Sequence, residues 1–230
     1  MECSNLFKNF KESDIYKGIT FDIYNVLFII IATLISSLGL LYNSTPSILG
    51  SMLVSSIVNP LVSSIILIIS NNYLVSVYKV FNFVILVIIC IVISFSIGLL
   101  NQYYMVFNTP TDEMLARITY THVIVDILLA LISGSGIALA ILNNDMVSRV
   151  GFSLILSITP PLANFGLFYG ESVYYYIQSL NSSSEREKII LNEQIQKLSE
   201  DGNKSFILFM LNVIAMYTTL LLTLTFMCKI

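Results

Sequence analysis

Charge is what this sequence has least of. Only 11% of its residues are Asp, Glu, Lys or Arg, against about 25% in a typical soluble domain. That is too little to coat a globule in water, so the chain is not expected to work as a soluble enzyme. Basic clusters are missing too. The net charge is −3 and the cations are scattered, which excludes the Lys/Arg footprint of a nucleic-acid binder. Cys3, Cys90 and Cys228 lie far apart, with neither zinc-like spacing nor the pattern of a disulfide framework, and His122 is the single histidine, so no metal site is expected. There is no HExxH, no G-x-S-x-G and no Walker loop. No catalytic residues and no cofactor follow from such a list, and a self-contained ATP-driven pump is excluded with them. Tryptophan is absent, and Tyr and Phe take over the aromatic role. The first twenty residues mix Lys8, Lys11 and Lys17 with Glu12 and Asp14 and show no apolar signal-peptide core.

Apolar residues fill the space that charge leaves. They make up 56% of the chain, and the mean hydropathy is +0.85. A bilayer span needs about 20 predominantly apolar residues. Runs at 23–42, 47–69, 80–100, 123–142, 146–169 and 206–227 meet that need. They are separated by turn formers such as Asn43-Ser44-Thr45-Pro46, Asn71-Asn72, Asn108-Thr109-Pro110 and Asn143-Asn144-Asp145. The expected fold is therefore an all-α integral membrane protein with six transmembrane helices. Residues 1–22 come first, as a flexible tail or an amphipathic segment with Leu6, Phe7 and Phe10 on one face. Residues 181–204 are the one strongly polar stretch. Ser184 and Glu187 have capping-box spacing, and Leu191, Ile195 and Leu198 make an apolar stripe, which predicts a helical loop outside the membrane. With six spans, Lys8, Lys11, Lys17, Lys79, Arg149 and Lys229 fall on one side, and Arg117, Arg186, Lys188, Lys197 and Lys204 on the other. The positive-inside rule then leans toward cytoplasmic termini. The sequons at Asn43, Asn181 and Asn203 fall on the opposite side.

The chain repeats itself. With Gly50 laid over Gly151, Leu53 meets Leu154, Ser56 meets Ser157, Pro60 meets Pro161 and Leu61 meets Leu162. In a slightly different register Leu34-Ile35-Ser36 meets Leu131-Ile132-Ser133 and Gly39 meets Gly136. The units are 23–100 and 123–230, joined by 101–122. Each holds three spans, an odd number, so the second must enter from the opposite side, an inverted repeat of the kind many transporters use.

Pro60 lies near the middle of the second span, and Pro160 and Pro161 near the middle of the fifth. Proline removes a backbone donor and clashes with the carbonyl four residues back, which predicts proline-broken second and fifth helices with freed carbonyls near Ser56, Leu156 and Ser157. Freed backbone groups cannot face lipid. Ser55, Ser56 and Asn59 at one break, and Thr159 and Asn164 at the other, are therefore expected to line an inward-facing substrate or ion pathway at the midplane. Proline kinks packed against small residues would explain the same pattern without a ligand. Gly134-Ser135-Gly136 and Ser36, Ser37 and Gly39 read as close helix packing. Among charged residues near spans, Asp126 is the candidate ion or proton site, with a wet interfacial carboxylate as the alternative. Glu113 and Arg117 share a helix face as a structural or gating pair, Arg149 and Glu171 flank the fifth span, and His122 reads as interfacial.

Three stretches together resemble a known family. They are 32–61 (ATLISSLGLLYNSTPSILGSMLVSSIVNPL), 111–136 (TDEMLARITYTHVIVDILLALISGSG) and 150–166 (VGFSLILSITPPLANFG). They are similar to the G-L-x-x-N-S, I-I-G-A-M-L, T-x-E-x-x-A-R and P-P-L-A elements of the prokaryotic membrane proteins grouped as domain of unknown function 389. Ser56 and Tyr120 stand where that family commonly has proline, and the 181–204 stretch is atypical. The resemblance implies a six-span membrane domain and supplies no substrate.

Two functional classes remain. One is a transporter or channel for a small solute or ion, with the bilayer as its other partner and a homo-oligomer compatible with it. The other is a membrane scaffold or sensor that recruits a partner through 181–204. An open cavity at Pro60 and Pro160 goes with the first, and a tightly packed centre with the second.

Overall fold

The computed structural model describes residues 23–143, 145–155, 158–182 and 184–228. The amphipathic reading of 1–22, and the carbonyls of Leu156 and Ser157, lie outside them. Among the described residues all regular structure is helical: α1 (Ile23–Leu41), α2 (Thr45–Val54), α3 (Asn59–Ile69), α4 (Tyr73–Tyr104), α5 (Asp112–Ala116), α6 (Tyr120–Leu142), α7 (Met146–Ile155), α8 (Thr159–Asn181) and α9 (Glu185–Met227). Six stretches are long and apolar enough to cross a bilayer: α1, α2 with α3, α4, α6, α7 with α8, and α9. The chain is a multi-pass membrane protein.

Turn chemistry ends the spans where the sequence puts asparagine. Asn43 and Asn71 both adopt φ 58°, a left-handed conformation that asparagine tolerates better than most residues. It lets Ser44 N–H bond the Gly39 carbonyl at 2.8 Å and Asn72 N–H bond the Leu67 carbonyl at 2.9 Å, the pattern that satisfies otherwise orphaned carbonyls at a helix end. At the start of α7, Asp145 accepts from the Val147 and Ser148 amides at 3.0 and 3.2 Å. The Ser148 hydrogen bonds hold its carboxyl below the usual carboxylate range.

α8 is the hub. It packs on α4, α9, α1 and α2. Its crossing with α4 depends on small residues at a four-residue spacing on both helices. A Cβ at Gly98 would run into the Leu167 carbonyl, at Gly166 into the Ser94 side chain, and at Gly170 into the Phe95 carbonyl. Lipid tails are as apolar as leucine, so helices in a membrane associate by such close approach rather than by hydrophobic burial. The clusters expected to pack closely also do so. Gly39 lies against Ile48 and Ser47, Gly134 against Met216 and Thr219 of α9, and Gly136 against the Phe152 ring.

The polar 181–204 stretch is helical, but it is not a separate loop. It forms the first turns of α9, which runs unbroken for 43 residues into the sixth span. At 1.5 Å per residue this is roughly 65 Å, about twice the hydrocarbon thickness of a bilayer. The expected stripe is real: Leu191 and Leu198 are buried and Ile195 half-buried. It continues through Gly202, Ser205, Phe209, Asn212 and Met216 at alternating steps of three and four residues, the seam of a supercoiled helix pair. The expected capping box is not made. Ser184 is the N-cap without a side-chain hydrogen bond, because Ser182 Oγ takes the Glu187 carboxylate instead, at 2.6 Å. Cys90 is a free buried thiol. Cys228 is disulfide-bonded, which the wide cysteine spacing did not announce.

The glycine contacts yield a paired prediction. Gly98→Ala and Gly170→Ala force backbone apart at the α4–α8 crossing and should each cost about 1–3 kcal/mol, the usual penalty of overpacking. Gly50 and Gly151, with nothing within 4 Å of an added Cβ, should accept alanine with unchanged or raised thermal stability in detergent.

Candidate functional site

The second span stops being helical at Val54 and resumes at Asn59, with Ser55 extended at φ −67°, ψ 120°. Pro60 stands in the first turn of α3, where its missing N–H would lack a helical partner in any case. Pro160 and Pro161 stand equally early in α8. The carbonyl expected to be free at Ser56 is occupied, accepting from Asn59 N–H at 3.2 Å.

The interruption of the second span touches the start of α8. Ser55 Oγ and Thr159 Oγ1 are 2.7 Å apart and hydrogen-bonded, and α2 packs on both α7 and α8. Thr159 is 2% exposed, and Pro60, Pro160 and Pro161 are buried. Ser56 Oγ donates to the Asn25 carbonyl at 3.3 Å. The Asn59 side chain is exposed. A pocket of about 400 Å³ lies elsewhere, between α6, α7 and the end of α9, lined by Gly136, Phe152, Ser148 and Met227 among others.

Asn164 builds a second node further along α8. Fully buried, it donates through Nδ2 to the Met114 carbonyl at 3.0 Å and to Ser205 Oγ at 2.9 Å, tying α8 to α5 and α9. Its Oδ1 has no hydrogen-bond partner. Glu113 and Arg117 form the expected i,i+4 pair at 3.5 Å. Their neighbours show what the pair does. Glu113 also accepts from Thr45 Oγ1 and donates its amide to Asn43 Oδ1 at 2.9 Å, while Thr111 Oγ1 donates to the Leu40 carbonyl at 2.6 Å. These bonds strap the short α5 to the turn between the first two spans. Asp126 sits apart, half-buried in α6 and within electrostatic reach of Arg117 and His122. An aspartate facing an arginine has less call for a mobile cation than one facing none.

The most deeply buried carboxylate is one that the sequence reading placed only at a span end. Glu171 in α8 is 0% exposed. It accepts from Thr109 Oγ1 at 2.9 Å and from Asn101 Nδ2 at 3.5 Å. Gln102 donates to Thr109 at 2.8 Å and accepts from Tyr175 OH at 3.2 Å. The signal was present in the sequence: an adjacent Asn-Gln pair ends the third apolar run, and a lone glutamate ends the fifth.

The family model described as "Domain of unknown function (DUF389)" matches residues 52–218. The chain belongs to this family. No curated protein matches it, and no solved structure does. In this DUF389 protein the stretches that carried the resemblance meet in space. Asn43 and Thr45 of the first bond Glu113 of the second, and Asn164 of the third bonds Met114 of the second.

Asn164→Leu should cost about 1–3 kcal/mol, the penalty for leaving the Met114 carbonyl and the Ser205 hydroxyl buried and unpaired. It should also loosen α5, read as faster tryptic cleavage after Arg117 in the detergent-solubilised protein. Unchanged melting together with unchanged cleavage would show that the node carries no weight.

Proposed function

We propose that this protein is a transporter or channel that moves a small solute or ion across the bilayer past the junction of its second and fifth spans. The observation that carries the reading is the Ser55–Thr159 hydrogen bond. Two helices interrupted inside apolar stretches place hydroxyls face to face where uninterrupted helices would present hydrocarbon. Backbone irregularity at membrane depth is tolerated where it is enclosed by protein or lines a cavity, and discontinuous helices at the midplane are how many transporters form their sites. Symmetry supports the reading. α3 and α8 each carry proline in the first turn. They fall at matching places in the aligned units, as two inverted three-helix repeats with proline breaks require. Rocking one repeat against the other opens such a junction alternately to each side. In this reading the termini are cytoplasmic, the partners are lipid and the carried species, a homo-oligomer is compatible, and there is neither enzymatic activity nor cofactor.

One observation favours the second reading, a scaffold or sensor. The α8–α9 hairpin extends past the apolar part of the bundle and exposes Leu180, Ile189 and Ile190, each above half. A partner could be recruited there.

Purified protein in liposomes, tested against a panel of ions and small solutes, separates the two. Transport predicts a flux that falls severalfold with Thr159→Val or Ser55→Ala and persists when residues 183–195 are replaced by a short linker. Asn59→Leu, at an exposed position, should leave the flux unchanged. A scaffold predicts no flux for any species and loss of cellular phenotype on that same replacement.

A further inference from the structure

We infer that Glu171 is a proton-binding site, and that its occupancy decides whether the segment 105–110 stays closed over that end of the bundle. The inference rests on the geometry around Glu171 and does not require that anything be transported.

Glu171 is fully buried, yet its partners are Thr109, Asn101 and Gln102, all neutral. The charged and titratable groups on the elements around it are engaged elsewhere or distant. On α9, Asp201 pairs with Lys204 at 2.7 Å. On and beside α5, Glu113 pairs with Arg117 at 3.5 Å, and Asp112 is bonded to Asn43 at 3.3 Å. α4 carries one charged side chain, Lys79, at its opposite end, and α1 and α2 carry none. Tyrosines complete the set: Tyr103 and Tyr104 of α4 are exposed, Tyr169 bonds Asn203 at 2.8 Å, Tyr174 packs on Tyr175, Tyr176 is exposed, and Tyr175 reaches Glu171 through Gln102. Among the described residues no cation lies within salt-bridge distance of Glu171. A carboxylate buried without a cation takes up a proton or becomes wet, because its unpaired charge is costly in a low-dielectric interior.

What covers it is a strap. The segment after α4 turns back at Met105, which adopts φ 48°. Asn101 then holds Phe107 on both sides, with Phe107 N–H donating to Oδ1 at 3.0 Å and Nδ2 donating to the Phe107 carbonyl at 3.3 Å. Thr109 closes directly over the carboxyl. The same asparagine and threonine therefore bond both the segment and Glu171. With the proton bound, the carboxyl is neutral and the strap stays down. When the proton leaves to water the anion favours hydration, and the strap must lift to admit it. Closure is thus present at low pH and lost as pH rises.

The test is backbone hydrogen exchange of residues 105–110 in the full-length protein in lipid nanodiscs, as a function of pH. After the intrinsic pH dependence of exchange is removed, opening of the Phe107 amide should grow by up to about tenfold per pH unit, the slope of one proton. E171Q should stay closed with no residual slope. Thr109→Val keeps the carboxyl but removes a donor to its anion in the closed form alone, so opening should exceed that of the wild type, most at high pH; this variant serves if E171Q does not fold. A residual slope retained in E171Q, or opening that Thr109→Val leaves unchanged, overturns the proposal. Repeating the series in sodium, potassium and choline chloride tests the ligand. Closure that follows the alkali ion at fixed pH makes the site a metal-cation site and overturns the proton reading.

Discussion

A peptide group inside a bilayer must find its hydrogen-bond partner within the protein, because no water is there to serve. A whole helix meets this demand by itself, and each place where a helix stops must meet it by other means. At the second span the chain does so with a turn bond from Asn59 N–H to the Ser56 carbonyl and with prolines where a helix has no use for the donor they lack. At the outer ends Asn43 and Asn71 perform the same task with left-handed backbone. At α5 Thr111 does it by capping Met114 N–H at 3.3 Å. Asparagines and hydroxyl residues at the helix ends meet a need that the bilayer creates there.

Packing then gathers those places onto one helix. The close approach of α4 and α8 through Gly98, Gly166 and Gly170 fixes α8 at the centre. Three polar nodes are spaced along it. Thr159 meets the broken second span, Asn164 holds α5 and α9, and Glu171 holds the strap after α4. A motion that shifts α8 relative to α4 would disturb all three together. The Ser55–Thr159 contact and the strap are thus joined to one helix.

Much of this was legible before any coordinates. Six apolar runs and the asparagine turns between them followed from composition and chain punctuation. Ser55 and Thr159 were singled out because small hydroxyl residues beside proline are conspicuous in an apolar run. Asn59 was assigned to the same site and is exposed, since the direction in which a helix restarts after a break is set by packing rather than by local sequence. The continuity of α9 was readable in principle. The stripe of Leu191, Ile195 and Leu198 extends in step to Met216, but the change from polar to apolar neighbours suggested a boundary where the seam has none. Asp126 drew attention as a charge inside a span, whereas Glu171 was passed over as a flank. Its partners Asn101 and Thr109 come from another part of the chain, and only the fold reveals that they enclose it.

The central claim is that the interruption of the second span meets the start of α8 at Ser55 and Thr159. Disulfide cross-linking tests it most directly. Ser55→Cys and Thr159→Cys are introduced together, the membranes are oxidised mildly, and peptides are mapped by mass spectrometry. The account predicts a linkage between positions 55 and 159 that neither single variant gives. A folded double variant without that linkage would contradict it.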